Sequence, residues 1–162
     1  MTELLNSLDN NLRKQLDCYK QLTKLEKDKQ QALIHNVIQE IDRITAEEEK
    51  ILFEVSHLEK ERLNWAEFFA KETGKKAEEI TLTDLEQSFP ILAEVHRELE
   101  TVIAELRQLH ETNTRLLENA VKLVNFTVQA ITNERQITYA KPTDKDKEGK
   151  TQKALNLFDK TI

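Results

Sequence analysis

Apolar residues return every three or four positions along most of this chain, and that spacing restricts the fold more than any other feature. One stretch reads Val37, Ile41, Ile44, Glu48, Ile51, Val55, Leu58, Arg62, Trp65, Phe69. Alternating steps of three and four keep these positions on one narrow face of a helix. Glu48 and Arg62 are polar members of that seam. A buried Glu48 calls for an interhelical cation, and Arg13, Arg62 and the lysines are the candidates. An earlier helix is marked by Leu5, Leu8, Leu12, Leu16, Tyr19, Leu22 and Leu25. Its start falls at Thr2, a fair N-cap ahead of an acidic residue. His35-Asn36 makes the break, with Asn36 and Gln39 at capping-box spacing for the second helix. Gly74, after Lys71, is a good stop for it.

Residues 75–88 read as a connection, with a short helical turn from Asp84 capped by Thr83 and Glu86. Pro90 suits the first turn of a third helix, where a missing N–H costs nothing, and Ser88 is its candidate cap. The third seam runs Leu92, Val95, Leu99, Val102, Leu106, Leu109, Asn113, Leu116, Ala120, Leu123, Thr127 and Ala130. A helix from Pro90 to Thr132 would span roughly 65 Å, against roughly 50 to 55 Å for the other two. Helices of this length need partners along their apolar faces. The fold class is therefore all-α: an elongated, coiled-coil-like antiparallel bundle of three long helices, with left-handed supercoiling and a flexible C-terminal tail. The helical domain is expected over 1–132 and the tail over 133–162.

The surplus length of the third helix is where function is expected. Beyond the seam, that end adds Leu117, Val121, Val124, Phe126, Val128 and Ile131. An apolar arc so wide meets more than one neighbour, or it awaits a partner. After Asn133 the chain becomes charged and poor in apolar residues through Lys150, a composition that favours disorder. At its end Ala154, Leu155, Phe158 and Ile162 fit one face of a short helix able to dock, and the groove a partner would use is its candidate site.

Composition narrows the function classes. The net charge of −6, without a basic block, argues against nucleic acid. No apolar run approaches the ~20 residues of a membrane span, and the N-terminus lacks the pattern of a secretion signal. A single cysteine, Cys18, excludes an internal disulfide framework. A cytoplasmic protein is the expectation.

No set of residues suggests catalysis or a cofactor. Glu54 and His57 have the Glu-x-x-His spacing of half a di-iron site, but the second half is missing. His35, His96 and His110 lack partners at ligand spacing, and Cys18 lacks an activating neighbour in sequence. Neither an enzyme nor a metal protein is expected.

The ordered combination of short motifs resembles the FlgN family of flagellar export chaperones. Ala32-Leu33-Ile34-His35-Asn36 leads into Ile41, Ile44 and Glu49-Lys50-Ile51-Leu52; Arg62 precedes an apolar cluster. Asn113, Leu116-Leu117, Val124, Phe126 and Thr138-Tyr139 follow in order, and Leu157-Phe158-Asp159-Lys160 resembles the family's tail ending. The chain departs from the pattern in having Ala120 where Ser is usual, and Gly149 farther from Tyr139 than usual. The resemblance implies a type III export chaperone that binds the C-terminal segments of hook–filament junction (hook-associated) proteins, prevents their premature assembly and delivers them to the export gate.

The partner-binding residues expected on that basis are Asn113, Leu116, Leu117, Ala120, Val121, Leu123, Val124, Phe126, Thr127, Tyr139, Leu155 and Phe158. Asn113 has two readings, a register-setting polar residue in the seam or a hydrogen-bond donor to the client. Tyr139, placed just past the helix, is by family analogy a contact for the gate or the client. The competing reading is a structural coiled-coil protein that self-associates through the third helix, as a homodimer.

Overall fold

The computed structural model describes the backbone of residues 2–139 and the side chains of residues 3–71, 74–77 and 79–133. Four α-helices follow one another: α1 (Thr2–Ile34), α2 (Ile38–Thr73), α3 (Leu82–Ser88) and α4 (Ala93–Tyr139). Two 3-10 turns, Ala77–Glu79 and Pro90–Leu92, lie either side of α3. There is no strand among the described residues. The chain divides into two compact units, Met1–Asn119 and Ala120–Ile162, so α4 contributes to both.

The first unit is a bundle of α1, α2 and the first part of α4, with α3 packed at one end. Asn11 donates to the carbonyl of Leu58 and to Glu61, while Lys29 meets Glu48, so α1 and α2 run antiparallel. Lys20 pairs with Glu98 and Lys27 with Glu105, so α1 and α4 run parallel. This is an up-down-up order, with a short connection from α1 to α2 and a longer one through α3 from α2 to α4. The main core joins Leu8, Leu12 and Leu16 of α1, Phe69 of α2, Leu85 of α3, and Leu92, Val95, Leu99 and Val102 of α4. Phe69 is enclosed, with the Phe89 ring centroid 5.3 Å away and Phe68 edge-on at 5.8 Å. A smaller cluster gathers Cys18, Val55 and Leu58. Burial, then the charges of Glu54 and Asp17, hold the Cys18 thiol above its usual pKa, which opposes formation of a reactive thiolate.

Several helix ends differ from the sequence-based expectation. Asn36 does not cap α2; it closes α1. Its φ is 55°, its N–H donates to Leu33, and the N–H of Val37 donates to Ala32. That is a Schellman closure, in which Asn tolerates the left-handed conformation because its side chain is short and polar. The N-cap of α2 is Val37, with no side-chain bond. Gly74 does stop α2, at φ 70° with its N–H on the carbonyl of Ala70.

The short helix α3 starts earlier than expected. Its capping box is Thr81 with Asp84, not Thr83 with Glu86. The Thr81 hydroxyl accepts from the Asp84 N–H, and the Asp84 carboxylate accepts from the Thr81 N–H. Those bonds, with Lys75 at 3.0 Å, pull the Asp84 carboxyl down to about 2. Pro90 opens the 3-10 turn that feeds α4, but the N-cap there is Phe89, not Ser88, and it makes no side-chain bond.

The second unit is described as the continuation of α4. The helix passes the expected end at Thr132 and reaches Tyr139. Tyr139 is therefore the last helical residue rather than one beyond the helix. Leu155 and Phe158, with the rest of the expected tail after residue 139, lie outside the described residues.

Candidate partner-binding surface

From Ala120 to Asn133 the chain carries one charged residue, Lys122, in a protein whose composition is one third charged. Ala120 is half-buried, and every residue from Val121 to Asn133 is exposed. Leu123 is 65% exposed, Val124 60% and Phe126 70%. An exposed helical segment normally carries many charges on its solvent face. Apolar residues contiguous on such a face mark an interaction surface.

The arrangement on the helix is ordered. Leu117, Val121, Val124, Val128 and Ile131 are exposed and spaced by alternating steps of four and three. Leu116, Ala120, Leu123 and Thr127 form an adjoining strip at the same period, its first two members half-buried. Phe126 lies about 60° beyond Leu123 at 3.6 residues per turn, at the outer edge of that strip. Together the residues cover an arc of roughly 220°, about twice the stripe by which a surface helix meets a core. The Thr127 hydroxyl donates to the carbonyl of Leu123 at 2.9 Å, and that of Thr132 to Val128 at 2.8 Å. With those hydroxyls satisfied, the threonines present methyl groups. Val128 and Ile131 belong to the exposed strip, and the unbroken period from Leu117 was the signal for including them.

Asn113 has a different setting. It is 3% exposed and is the last buried residue of α4 among the described side chains. Its Nδ2 donates to the Glu26 carbonyl at 2.7 Å and to the Glu26 carboxylate at 2.5 Å. The ring Nδ1 of His110 is 2.9 Å from the same carboxylate. Lys29 lies 3.5 Å from Glu26 and 2.5 Å from Glu48. The first unit thus contains a polar layer linking α1, α2 and α4. Burial pushes the Glu26 carboxyl upward, but hydrogen bonds from His110 and Asn113 and the charge of Lys29 prevail, leaving it below its usual value. Burial dominates at Glu48, whose carboxyl is raised despite Lys29. One oxygen of Glu48 and the Oδ1 of Asn113 are buried without a partner among the described residues. The cation for the seam position Glu48 is Lys29, which sequence could not single out among the lysines.

The other candidate residues lie apart. Glu54 and His57 are exposed, and the His57 ring is 3.6 Å from Glu61. Cys18 is buried in the first unit. No helix among the described residues is long and apolar enough to cross a membrane.

The chain matches a protein family, described as FlgN protein, over residues 1–145. Comparison with curated proteins and with solved structures yields no match.

Proposed function

This chain belongs to the FlgN family, and from that premise we propose that it is a cytoplasmic flagellar type III export chaperone for hook–filament junction proteins. In this reading it binds the C-terminal segments of those clients, prevents their premature assembly and delivers them to the export gate. The carrying observation is the exposed, nearly charge-free apolar arc from Val121 to Ile131.

Recognition is of the helix-in-groove kind. A client segment with apolar residues at helical spacing folds against the strip of Val121, Val124, Val128 and Ile131, with the neighbouring Leu117. Burial contributes ~25 cal/mol per Å² of apolar surface, less the cost of ordering the client. The arc has room for a second segment along Leu116, Ala120, Leu123 and Thr127, with Phe126 at its edge. Asn113, already bonded to Glu26, serves by positioning. The binding chemistry calls for no catalytic group or cofactor.

Val124→Asp tests this reading. The residue is exposed, so stability should change by less than about 0.5 kcal/mol, whereas a charge in a newly buried seam should weaken client binding at least tenfold (~1.4 kcal/mol or more). Calorimetric titration with a client C-terminal peptide, alongside circular dichroism, reads both. Wild-type affinity in the variant rejects the site.

The four-three spacing of the exposed strip also suits a second copy of the chain, which favours self-association as the alternative. Sedimentation over a concentration series separates the two. A stable dimer dissolved by Val124→Asp supports self-association; a monomer binding one client peptide supports the chaperone.

A further inference from the structure

We propose that the groove between α2 and α4 in the first unit is a docking site for an acidic, amphipathic helical segment of a partner protein. It lies wholly within the Met1–Asn119 unit and does not rest on the apolar arc of the second unit. Its volume is about 530 Å³. The lining includes Leu12 and Tyr19 of α1, Arg62 of α2, and Leu99, Ile103 and Arg107 of α4.

Two unpaired arginines select the ligand. The Nε of Arg62 is buried and has no hydrogen-bond partner among the described residues. Arg107, on the α4 side, likewise forms no ion pair or hydrogen bond among them. The nearby anions do not fill the role. Glu86 is hydrogen-bonded to the His96 ring at 2.5 Å and Glu100 lies 3.5 Å from it, and among the described residues neither of the lining carboxylates, Glu59 and Glu100, forms an ion pair with either arginine. A buried N–H without an acceptor costs free energy in the free protein, and a planar guanidinium binds carboxylate through parallel hydrogen bonds. The missing acceptor is therefore a carboxylate supplied from outside. On α4 the lining runs from His96 to Arg107, roughly 16 Å along the helix axis. An apolar floor of Leu12, Leu82, Leu99 and Ile103 beside two arginines that the lining carboxylates Glu59 and Glu100 leave unpaired suits a helix with apolar residues on one side and Asp or Glu placed to meet those arginines.

The test uses the full chain and a fluorescein-labelled amphipathic peptide of about 15 residues, with Leu on one face and Glu along its edge. A second peptide carries Gln in place of every Glu. Fluorescence anisotropy should show saturable binding of the Glu peptide, at least about tenfold tighter than the Gln peptide and weakened by salt. Arg107→Gln should weaken the Glu peptide at least about tenfold without loss of helicity. Arg62→Met should weaken it too, yet raise the Tm of the free protein by removing the unpaired buried donor. An arginine with a merely structural role would lower the Tm when replaced. Val124→Asp should bind the peptide as wild type does. Equal affinity for the two peptides, undiminished binding by Arg107→Gln, or loss of binding in Val124→Asp overturns the proposal. So does a wild-type dimer that Arg107→Gln dissolves, because the groove would then hold a second copy.

Discussion

Asn113 of α4 donates to both the backbone carbonyl and the side-chain carboxylate of Glu26 on α1, at 2.7 and 2.5 Å. The two contacts hold the helices at one register. A shift by one turn along either axis would separate the amide from both acceptors by roughly 5.4 Å and leave a buried carboxylate short of donors. A single polar residue in an apolar seam sets helix register in this way. Asn113→Ala should therefore cost about 1–3 kcal/mol, measured by urea denaturation. The double variant Glu26→Leu with Asn113→Leu should lose clearly less than the sum of its single variants, because it removes both sides of the contact. Additive losses would show the contact to be energetically idle.

Lys29 lies between two buried carboxylates, 2.5 Å from Glu48 and 3.5 Å from Glu26. Lys29→Met leaves Glu48 without its cation. At neutral pH the loss should be about 3 kcal/mol, the scale of breaking a buried pair from one side. The pH dependence has a definite sign. Burial already raises the Glu48 carboxyl, and removing Lys29 raises it further. A carboxyl raised by folding binds more protons in the folded state, so the deficit should shrink as pH falls through that raised value. Glu26 acts oppositely: its lowered carboxyl contributes stability above its unfolded pKa that is lost as pH falls through the folded one. Thermal melts of variant and wild type above about pH 5, where unfolded carboxylates are ionised, separate the two effects. A deficit that grows on acidification above that pH would contradict this account of Glu48.

Asp84 makes an acid-sensitive cap for α3. Its carboxyl is held at about 2 by the Thr81 N–H, Lys75 and the Thr81 hydroxyl. A carboxyl lowered by folding contributes stability that is complete above its unfolded value, near ~3.9, and disappears as pH falls through the folded value. Asp84→Asn should therefore lower the Tm at pH 7, and the difference from wild type should fade toward pH 2. A difference independent of pH would show that the charge plays no part.

Tyr139 ends α4, and under the proposed chaperone function its candidate partner is the export gate or the client. Aromatic residues dominate small interfaces of this type. Tyr139→Ala should reduce client export severalfold while leaving the Tm close to wild type, and client affinity measured alongside tells the gate from the client. Equal export by the two proteins would remove the residue from the interface.

The long helices were legible because their signal is local and repeated. Leu8, Leu12 and Leu16, or Val95, Leu99 and Val102, return at the period that places them on one face, and these residues form the main core. Gly74 was legible as a stop because few other residues adopt φ 70° cheaply. Asn36 was misread because one short polar side chain suits both an N-cap and a left-handed C-terminal closure. Its position alone does not say which helix it serves. The cap of α3 was misread for a related reason: Thr81/Asp84 and Thr83/Glu86 are both capping-box pairs, and only the backbone geometry chose the first.

What the sequence by itself determined is the class of architecture and the apolar arc from Leu117 to Ile131. Both follow from the order of residues on a helix, whatever surrounds it. Only the tertiary structure decided that Lys29 answers Glu48, that Asn113 meets Glu26, and that Arg62 and Arg107 share a groove without forming an ion pair among the described residues. Such pairings join residues distant along the chain, and their energies depend on burial and distance. A linear pattern carries neither until the helices pack.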